Sequence, residues 1–197
     1  MKTKDFLKMA KVGSTECVGI GKGSDFHELK DDSENREAVI AVGIEVRSGY
    51  ILDAIGTLYD NGRTSLHGNL SGGSSHRIEF EEGDDLKSIE GVCDVSYAGN
   101  KTFSQVLIRT IKGKEYGPFG DAKAGRRFKL EVPVESKFVG LYGKADNISV
   151  NRLGITYVEA VSDNPASAVP PLEKPEMSPP PFGKPQMAPP PMEKTLI

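Results

Sequence analysis

The chain has no tryptophan, only two cysteines and only three histidines among its 197 residues. So few sulfur and imidazole groups argue against a structural zinc site, which needs four such ligands at short, regular spacings. Cys17 and Cys93 lie far apart in the sequence, and two buried free thiols are favoured over a disulfide, which the sequence leaves open. We predict no metal ion and no cofactor.

Long apolar runs and a marked excess of positive charge are missing as well. No stretch approaches the roughly 20 apolar residues that cross a bilayer, and no apolar signal-peptide region follows the basic N-terminus. The net charge is −3, whereas binding to nucleic acid needs clustered positive charge. We expect a cytoplasmic protein that binds no nucleic acid, with leaderless export left open.

Proline is scarce in most of the chain and concentrated near its end. Eleven of the 13 prolines lie between Pro165 and Pro191, in a pattern that repeats every ten residues. A segment so poor in apolar side chains and backbone donors cannot build a core. The sequence therefore predicts a folded domain over 13–160 and a disordered tail over 161–197. The tail is either a spacer or a polyproline ligand for an SH3, WW or profilin-like partner.

Short segments of alternating apolar and polar residues fill the predicted domain, and the 22 glycines of the chain, nearly all of them in this domain, suit a fold with many tight turns. Turn signals such as Asp60-Asn61-Gly62 separate these segments at hairpin spacing. No segment keeps a helical period for long. The pattern predicts an all-β fold, with strands at 39–46, 76–80, 106–111, 128–132, 138–142 and 155–158.

A strand, a glycine turn and a return strand recur three times, at 44–55, 78–89 and 108–120. Each repeat is too small to be stable alone. Because fixed self-similarity is typical of repeat architectures, the three copies predict three small sheets arranged about a pseudo-threefold axis.

The repeats resemble those of jacalin-related lectins. The most specific strings, in chain order, are Ile51-Leu52-Asp53-Ala54-Ile55, Ile78-Glu79-Phe80, Tyr116-Gly117-Pro118-Phe119-Gly120, Phe138-Val139-Gly140 and Leu153-Gly154-Ile155. The resemblance implies a β-prism of three four-stranded Greek-key sheets with a carbohydrate site at one end. It also implies a non-catalytic protein that binds glycans or glycoproteins, and it leaves homo-oligomers open. Because the chain runs unbroken into its glycine-rich loop, the resemblance favours mannose or glucose over galactose.

The resemblance implies that a glycine-rich loop and a Gly-x-x-x-Asp loop together hold the sugar. Gly23 corresponds to the contacting glycine of the first loop. The second loop is altered, because Asn147 replaces its glycine and Asn151 its aspartate. Asparagine keeps one acceptor but loses the charge, which weakens binding to sugar hydroxyl groups.

Two other features of the altered loop remain relevant to sugar binding. We expect the backbone amides of Ile148 and Ser149 to stay available to a sugar, because they do not depend on side-chain identity. Asp146 is an alternative source of the missing carboxylate.

The first repeat carries the same pattern intact, from Gly49 to Asp53, with Gly73 in a facing glycine loop. This predicts a second sugar site, although Asp53 could instead be an ordinary polar residue of the strand. His67, next to Gly68, is interpreted as part of a turn, without a nucleophile nearby, and no enzyme activity is predicted. The alternative function is a protein-interaction module or adaptor that binds partners through the proline-rich tail.

Overall fold

A computed structural model describes residues 11–29, 40–121 and 124–159. These residues form 14 strands and no helix, so they include no helix long and apolar enough to cross a membrane. The all-β prediction is confirmed, and each of the six strands predicted from alternation overlaps an observed strand. The tail predicted at 161–197 lies outside the described residues.

Twelve of the strands form three antiparallel sheets of four strands each. In spatial order, the first sheet contains β1 (Lys11–Ser14), β14 (Val150–Glu159), β13 (Ser136–Ala145) and β2 (Ser24–His27). The second contains β5 (Thr64–Gly68), β4 (Leu52–Tyr59), β3 (Ala41–Ser48) and β6 (Ser74–Glu79). The third contains β11 (Glu115–Gly120), β10 (Gln105–Thr110), β7 (Leu86–Cys93) and β12 (Arg126–Glu131). β8 (Val95–Tyr97) and β9 (Asn100–Thr102) form a separate hairpin.

Each sheet has two central strands that pair with each other, and two outer strands that flank them. The central pairs are β13 with β14, β3 with β4 and β7 with β10, so the three sheets share one topology and the predicted β-prism is confirmed. Buried side chains from all three sheets pack in one common core. Its fully buried side chains include Ile44, Ile55, Ile89, Phe103, Ile108, Leu141, Leu153 and Ile155.

The loops that carry the predicted site residues meet at one end of the prism, which we call the loop pole. It comprises residues 19–23, 49–51, 69–73 and 146–149 and the β8–β9 hairpin. The Leu52 amide donates to the Phe103 carbonyl at 2.9 Å, and the Thr102 hydroxyl donates to the Val150 carbonyl at 2.7 Å. These bonds tie all three sheets together at this pole.

A buried carboxylate, Glu28, joins the first sheet to the second. It follows β2 and is 0% exposed. Its oxygens accept hydrogen bonds from the Leu141 amide at 2.7 Å and from the amide and hydroxyl groups of Thr57. The Tyr59 hydroxyl donates at 3.4 Å. The amides of Thr57 and Leu141, one in each sheet, both donate to Glu28. Its carboxylate therefore supplies acceptors for buried amides of two sheets.

Two local predictions need correction. His67 lies within β5 and not in a turn, because it pairs with Ile55 in the ladder between β4 and β5. Its ring stacks on Phe26 at a centroid distance of 4.1 Å, and its Nε2 lies 3.4 Å from Glu28. Both cysteines are free, as predicted, but only Cys93 is buried and Cys17 is exposed.

Candidate functional site

The glycine-rich loop is pressed against its neighbours at the loop pole. A Cβ atom at Gly21 would overlap the carbonyl oxygen of Lys101 and lie 2.7 Å from the Cβ of Asn151. A Cβ atom at Gly23 would lie 2.5 Å from the carbonyl oxygen of Ala145. Only glycine fits at these two positions, so the structure brings the predicted glycine loop against the β13–β14 loop.

The β13–β14 loop is organised around the carboxylate of Asp146. Its Oδ1 accepts hydrogen bonds from the amides of Ile148 at 2.8 Å and Ser149 at 2.9 Å. Its Oδ2 accepts from the side-chain amide groups of Asn151 at 2.8 Å and Asn100 at 2.9 Å. A carboxylate has about four lone-pair sites, so these four donors use all of its accepting capacity. The two backbone amides predicted to be available are bonded inside the loop.

Asn151, which replaces the aspartate of the family pattern, is equally occupied. The side chain is 1% exposed, and its Nδ2 also donates to the carbonyl of Lys22 at 2.7 Å. Its Oδ1 accepts from the Ser149 hydroxyl at 2.8 Å. An aspartate here would place a charge against that carbonyl and against Asp146, so the observed network requires the donor that asparagine supplies.

Asn100 closes the arrangement from the β8–β9 hairpin. Its Nδ2 donates to the Lys22 carbonyl at 2.8 Å, and its Oδ1 accepts from the Lys22 amide at 3.0 Å. The sequence predicts a turn at Gly99-Asn100, but nothing in it indicates that this side chain reaches Asp146. We call Asp146, Asn151, Asn100 and the Lys22 backbone the closing network, because together they join three loops.

Hydrogen bonding keeps Asp146 ionised. Partial burial alone would raise the pKa of this carboxyl group. The amides of Ile148 and Ser149 and the side chains of Asn100 and Asn151 outweigh burial, and the pKa is held below its usual value.

Replacing Asp146 with alanine is expected to lower the free energy of unfolding by about 2 kcal/mol, since four donors lose a charged acceptor. Urea unfolding followed by circular dichroism measures the change. The control is Asp25→Ala, which removes a carboxylate that is 81% exposed and paired with Lys144, and which we expect to shift stability by less than about 0.5 kcal/mol. Equal effects of the two changes would contradict the closing network.

A second candidate site lies between the β3–β4 loop and the β5–β6 loop. Asp53 is half-buried near the start of β4. A Cβ atom at Gly72 would lie 2.6 Å from its Oδ1, and one at Gly73, where φ is +52°, would lie 2.5 Å from its Oδ2. A Cβ atom at Gly49 would be 3.7 Å from the same carboxylate. The structure therefore brings together Asp53 and Gly73, the two predicted residues, and places three glycines near the carboxylate.

Arg47 holds the facing glycine loop in place. Its Nε donates to the Gly72 carbonyl at 2.9 Å, and its Nη2 donates to the Gly73 carbonyl at 3.3 Å. Burial raises the pKa of Asp53, while a hydrogen bond from the Gly49 amide and the charge of Arg47 oppose that rise. An ionised carboxylate in a fixed loop can accept two hydroxyl donors from one ligand.

Each of the two loops of this site carries an exposed apolar side chain. Tyr50, in the β3–β4 loop, is 67% exposed, and Leu70, in the β5–β6 loop, is 58% exposed. Aromatic and aliphatic surface next to a hydrogen-bonding group is suited to a ligand that has both polar edges and apolar faces.

His67 has polar neighbours, but their geometry is not that of a nucleophile and its base. Its Nε2 lies 3.2 Å from the Ser65 hydroxyl and 3.4 Å from Glu28. In a catalytic triad the serine and the acid contact different ring nitrogens, whereas here both contact Nε2. Among the described residues, no group of three acidic, histidine or cysteine side chains is placed to hold a metal ion.

Comparison with known proteins places the chain in a family. The model of the jacalin-like lectin domain matches residues 15–156, and no curated protein matches. The structure is similar to that of Malaysian banana lectin, at 25% identity and a TM-score of 0.60, covering 76% of this chain and 99% of that one. A mannose binding jacalin related lectin from Ananas comosus is 24% identical, with a TM-score of 0.60 and coverage of 76% and 98%. A mannose-specific jacalin-related lectin from Morus nigra, in complex with mannose, is 20% identical, with a TM-score of 0.59 and coverage of 75% and 95%. The chain belongs to the jacalin-like lectin family.

Proposed function

We propose that this protein is a non-catalytic lectin that binds mannose- or glucose-type glycans through the loop of Asp53. The observation that carries the proposal is the carboxylate of Asp53, which lies so close to Gly72 and Gly73 that a side chain at either position would overlap it. Mannose is chosen because the family resemblance favours it and because two relatives of similar fold are named as mannose lectins.

The Asp53 loop is preferred to the Asn151 loop because of the hydrogen-bonding groups that each offers. Asp53 supplies a charged acceptor, which binds hydroxyl groups about twice as strongly as a neutral one. Tyr50, three residues before it in the chain, supplies exposed aromatic surface. In contrast, the polar groups of the Asn151 loop are bonded to one another. Sugar contacts at Gly23, Asn147, Ile148, Ser149 and Asn151 stay predictions from the sequence.

An adaptor role through the proline-rich tail depends on residues outside the described part of the chain and stays a prediction. The same holds for homo-oligomers and for a cytoplasmic location. Any partner of the Asp53 loop would be a glycan or the glycan of a glycoprotein.

Replacing Asp53 with alanine is expected to weaken binding of methyl α-mannoside at least about tenfold, because the loop loses its only charged acceptor for hydroxyl groups. Isothermal titration of the folded full-length protein measures the affinity. The control, Glu79→Ala, removes an exposed carboxylate from the same sheet and should leave the affinity unchanged. The proposal is wrong if Asp53→Ala binds as the wild type does, or if the folded wild type binds no mannoside.

A further inference from the structure

We infer that Asp146 determines how many sugars each chain binds: its carboxylate closes the Asn151 loop, so that the chain presents a single sugar site, at Asp53. This inference rests on the proposed function. It goes further, because it names Asp146 as the residue that decides whether the chain has one sugar site or two.

The closure follows from the donors and acceptors at the Asn151 loop. A sugar bound there as the resemblance implies would need free backbone donors and a free carboxylate. The amides of Ile148 and Ser149 already donate to Asp146 at 2.8 and 2.9 Å. The other oxygen of that carboxylate is taken by Asn100 and Asn151. A hydroxyl group could enter only by leaving one of these partly buried groups unpaired.

The Asp53 loop carries no carboxylate at the corresponding position. In the pattern shared by the repeats, Gly49 corresponds to Asn147, and Asp53 corresponds to Asn151. Asp146 therefore corresponds to Ser48, a neutral residue that is 7% exposed. The first repeat therefore has no charged acceptor before its glycine that could gather the donors of its loop, and its carboxylate is the one on Asp53.

The closing network also explains why substitution at Asn151 alone would not reopen the loop. Asn100, in the β8–β9 hairpin, donates to Asp146, and Lys22, in the glycine-rich loop, accepts from Asn151. Asn100 and Lys22 also bond to each other. A carboxylate introduced at position 151 would face the existing one at Asp146, since the Asn151 side chain now donates to it. The two like charges would repel each other. Asp146 must therefore be removed when the carboxylate is moved.

The test is to move the carboxylate with the double substitution Asp146→Ala and Asn151→Asp, which conserves net charge. Methyl α-mannoside is titrated into the full-length wild type and variant, and the stoichiometry is read by calorimetry and the contact residues by amide chemical shifts. The wild type should bind one sugar per chain, with shifts at residues 49–53 and 72–73. The variant should bind two, with new shifts at Ile148 and Ser149. The matched control, Asp25→Ala with Asn151→Asp, retains Asp146 and should bind one.

Three results would overturn the inference: mannoside-induced shifts at Ile148 and Ser149 in the wild type, a folded variant that still binds one sugar, or a control that binds two. Hydrogen exchange gives a readout that needs no sugar. The amides of Ile148 and Ser149 should exchange at least about tenfold faster in Asp146→Ala than in the wild type, and equal rates would refute the closed loop itself. If the exchange difference holds while no protein binds mannoside, the closed loop stands and the proposed lectin function fails.

Discussion

Replacing Glu28 with alanine is expected to lower the free energy of unfolding by about 4 kcal/mol. The change leaves the buried amides of Thr57 and Leu141 without their acceptor, and each orphaned donor costs about 1–3 kcal/mol. The smaller side chain also leaves space between two sheets, which adds a cavity penalty. Urea unfolding measures the loss as a shift of the unfolding midpoint, provided that the slope of free energy against urea concentration is the same in variant and wild type.

Two further variants separate the role of this carboxylate from that of its volume. Glu28→Gln keeps the size of the side chain and one acceptor oxygen, so it should lose clearly less stability than Glu28→Ala. Glu79→Ala removes an exposed carboxylate with side-chain exposure of 66% and should change stability by less than about 0.5 kcal/mol. A loss below about 1 kcal/mol for Glu28→Ala would contradict the assignment of Glu28 as the acceptor that joins the two sheets.

The fold could be predicted because local sequence patterns indicate its strands and turns. Alternation such as that of Phe128 to Val132 indicates a strand with one buried face, and a glycine turn between two such strands indicates a hairpin. The three copies then specify the architecture, since each sheet needs the other two to cover its apolar face. That Asp53 and Gly73 lie close together could also be predicted from the sequence, because each residue belongs to a recognisable loop of the first repeat.

The closing network could not be predicted, because its contacts join loops that are distant in sequence. Asn100 reaches Asp146 across 46 positions, and Asn151 reaches the carbonyl of Lys22 across 129. A pattern of residue types shows which groups a loop possesses, but not which of them are already bonded to each other. The same limit applies to Glu28, whose partners lie in β4, β5 and β13.

Asn151 illustrates the difference most directly. From the sequence alone, asparagine in place of aspartate is a sugar ligand weakened by the loss of its charge. In the structure its side-chain amide donates to both Asp146 and Lys22, a role that aspartate cannot fill. Asn151 and the neighbouring carboxylate therefore act together, and the polar groups that the resemblance assigns to a sugar bond to each other in this loop.

The stability of the protein is expected to depend on pH through Asp85, in the loop before β7. Burial raises the pKa of this carboxyl group from 3.8 to about 6, against hydrogen bonds from the Leu86 and Phe138 amides and the charge of Lys137. The folded protein therefore binds this proton more tightly than the unfolded chain does. The stability that this proton contributes is present below pH 4 and is lost as the pH rises through about 6.

Asp85→Asn is uncharged at every pH, so the difference in free energy of unfolding between variant and wild type should move in favour of the variant by about 2 kcal/mol between pH 4 and pH 7. Urea unfolding at each pH measures this difference. The neighbouring Asp84 provides an opposite control: burial raises its pKa, but hydrogen bonds from the Lys112 amide, the Thr110 hydroxyl and the Asp85 amide outweigh burial and lower it. Asp84→Asn should thus be less stable than the wild type at pH 7, by an amount that shrinks as the pH falls. If the stability of the two variants relative to the wild type changed with pH in the same direction, the opposite pKa shifts of Asp84 and Asp85 would be contradicted.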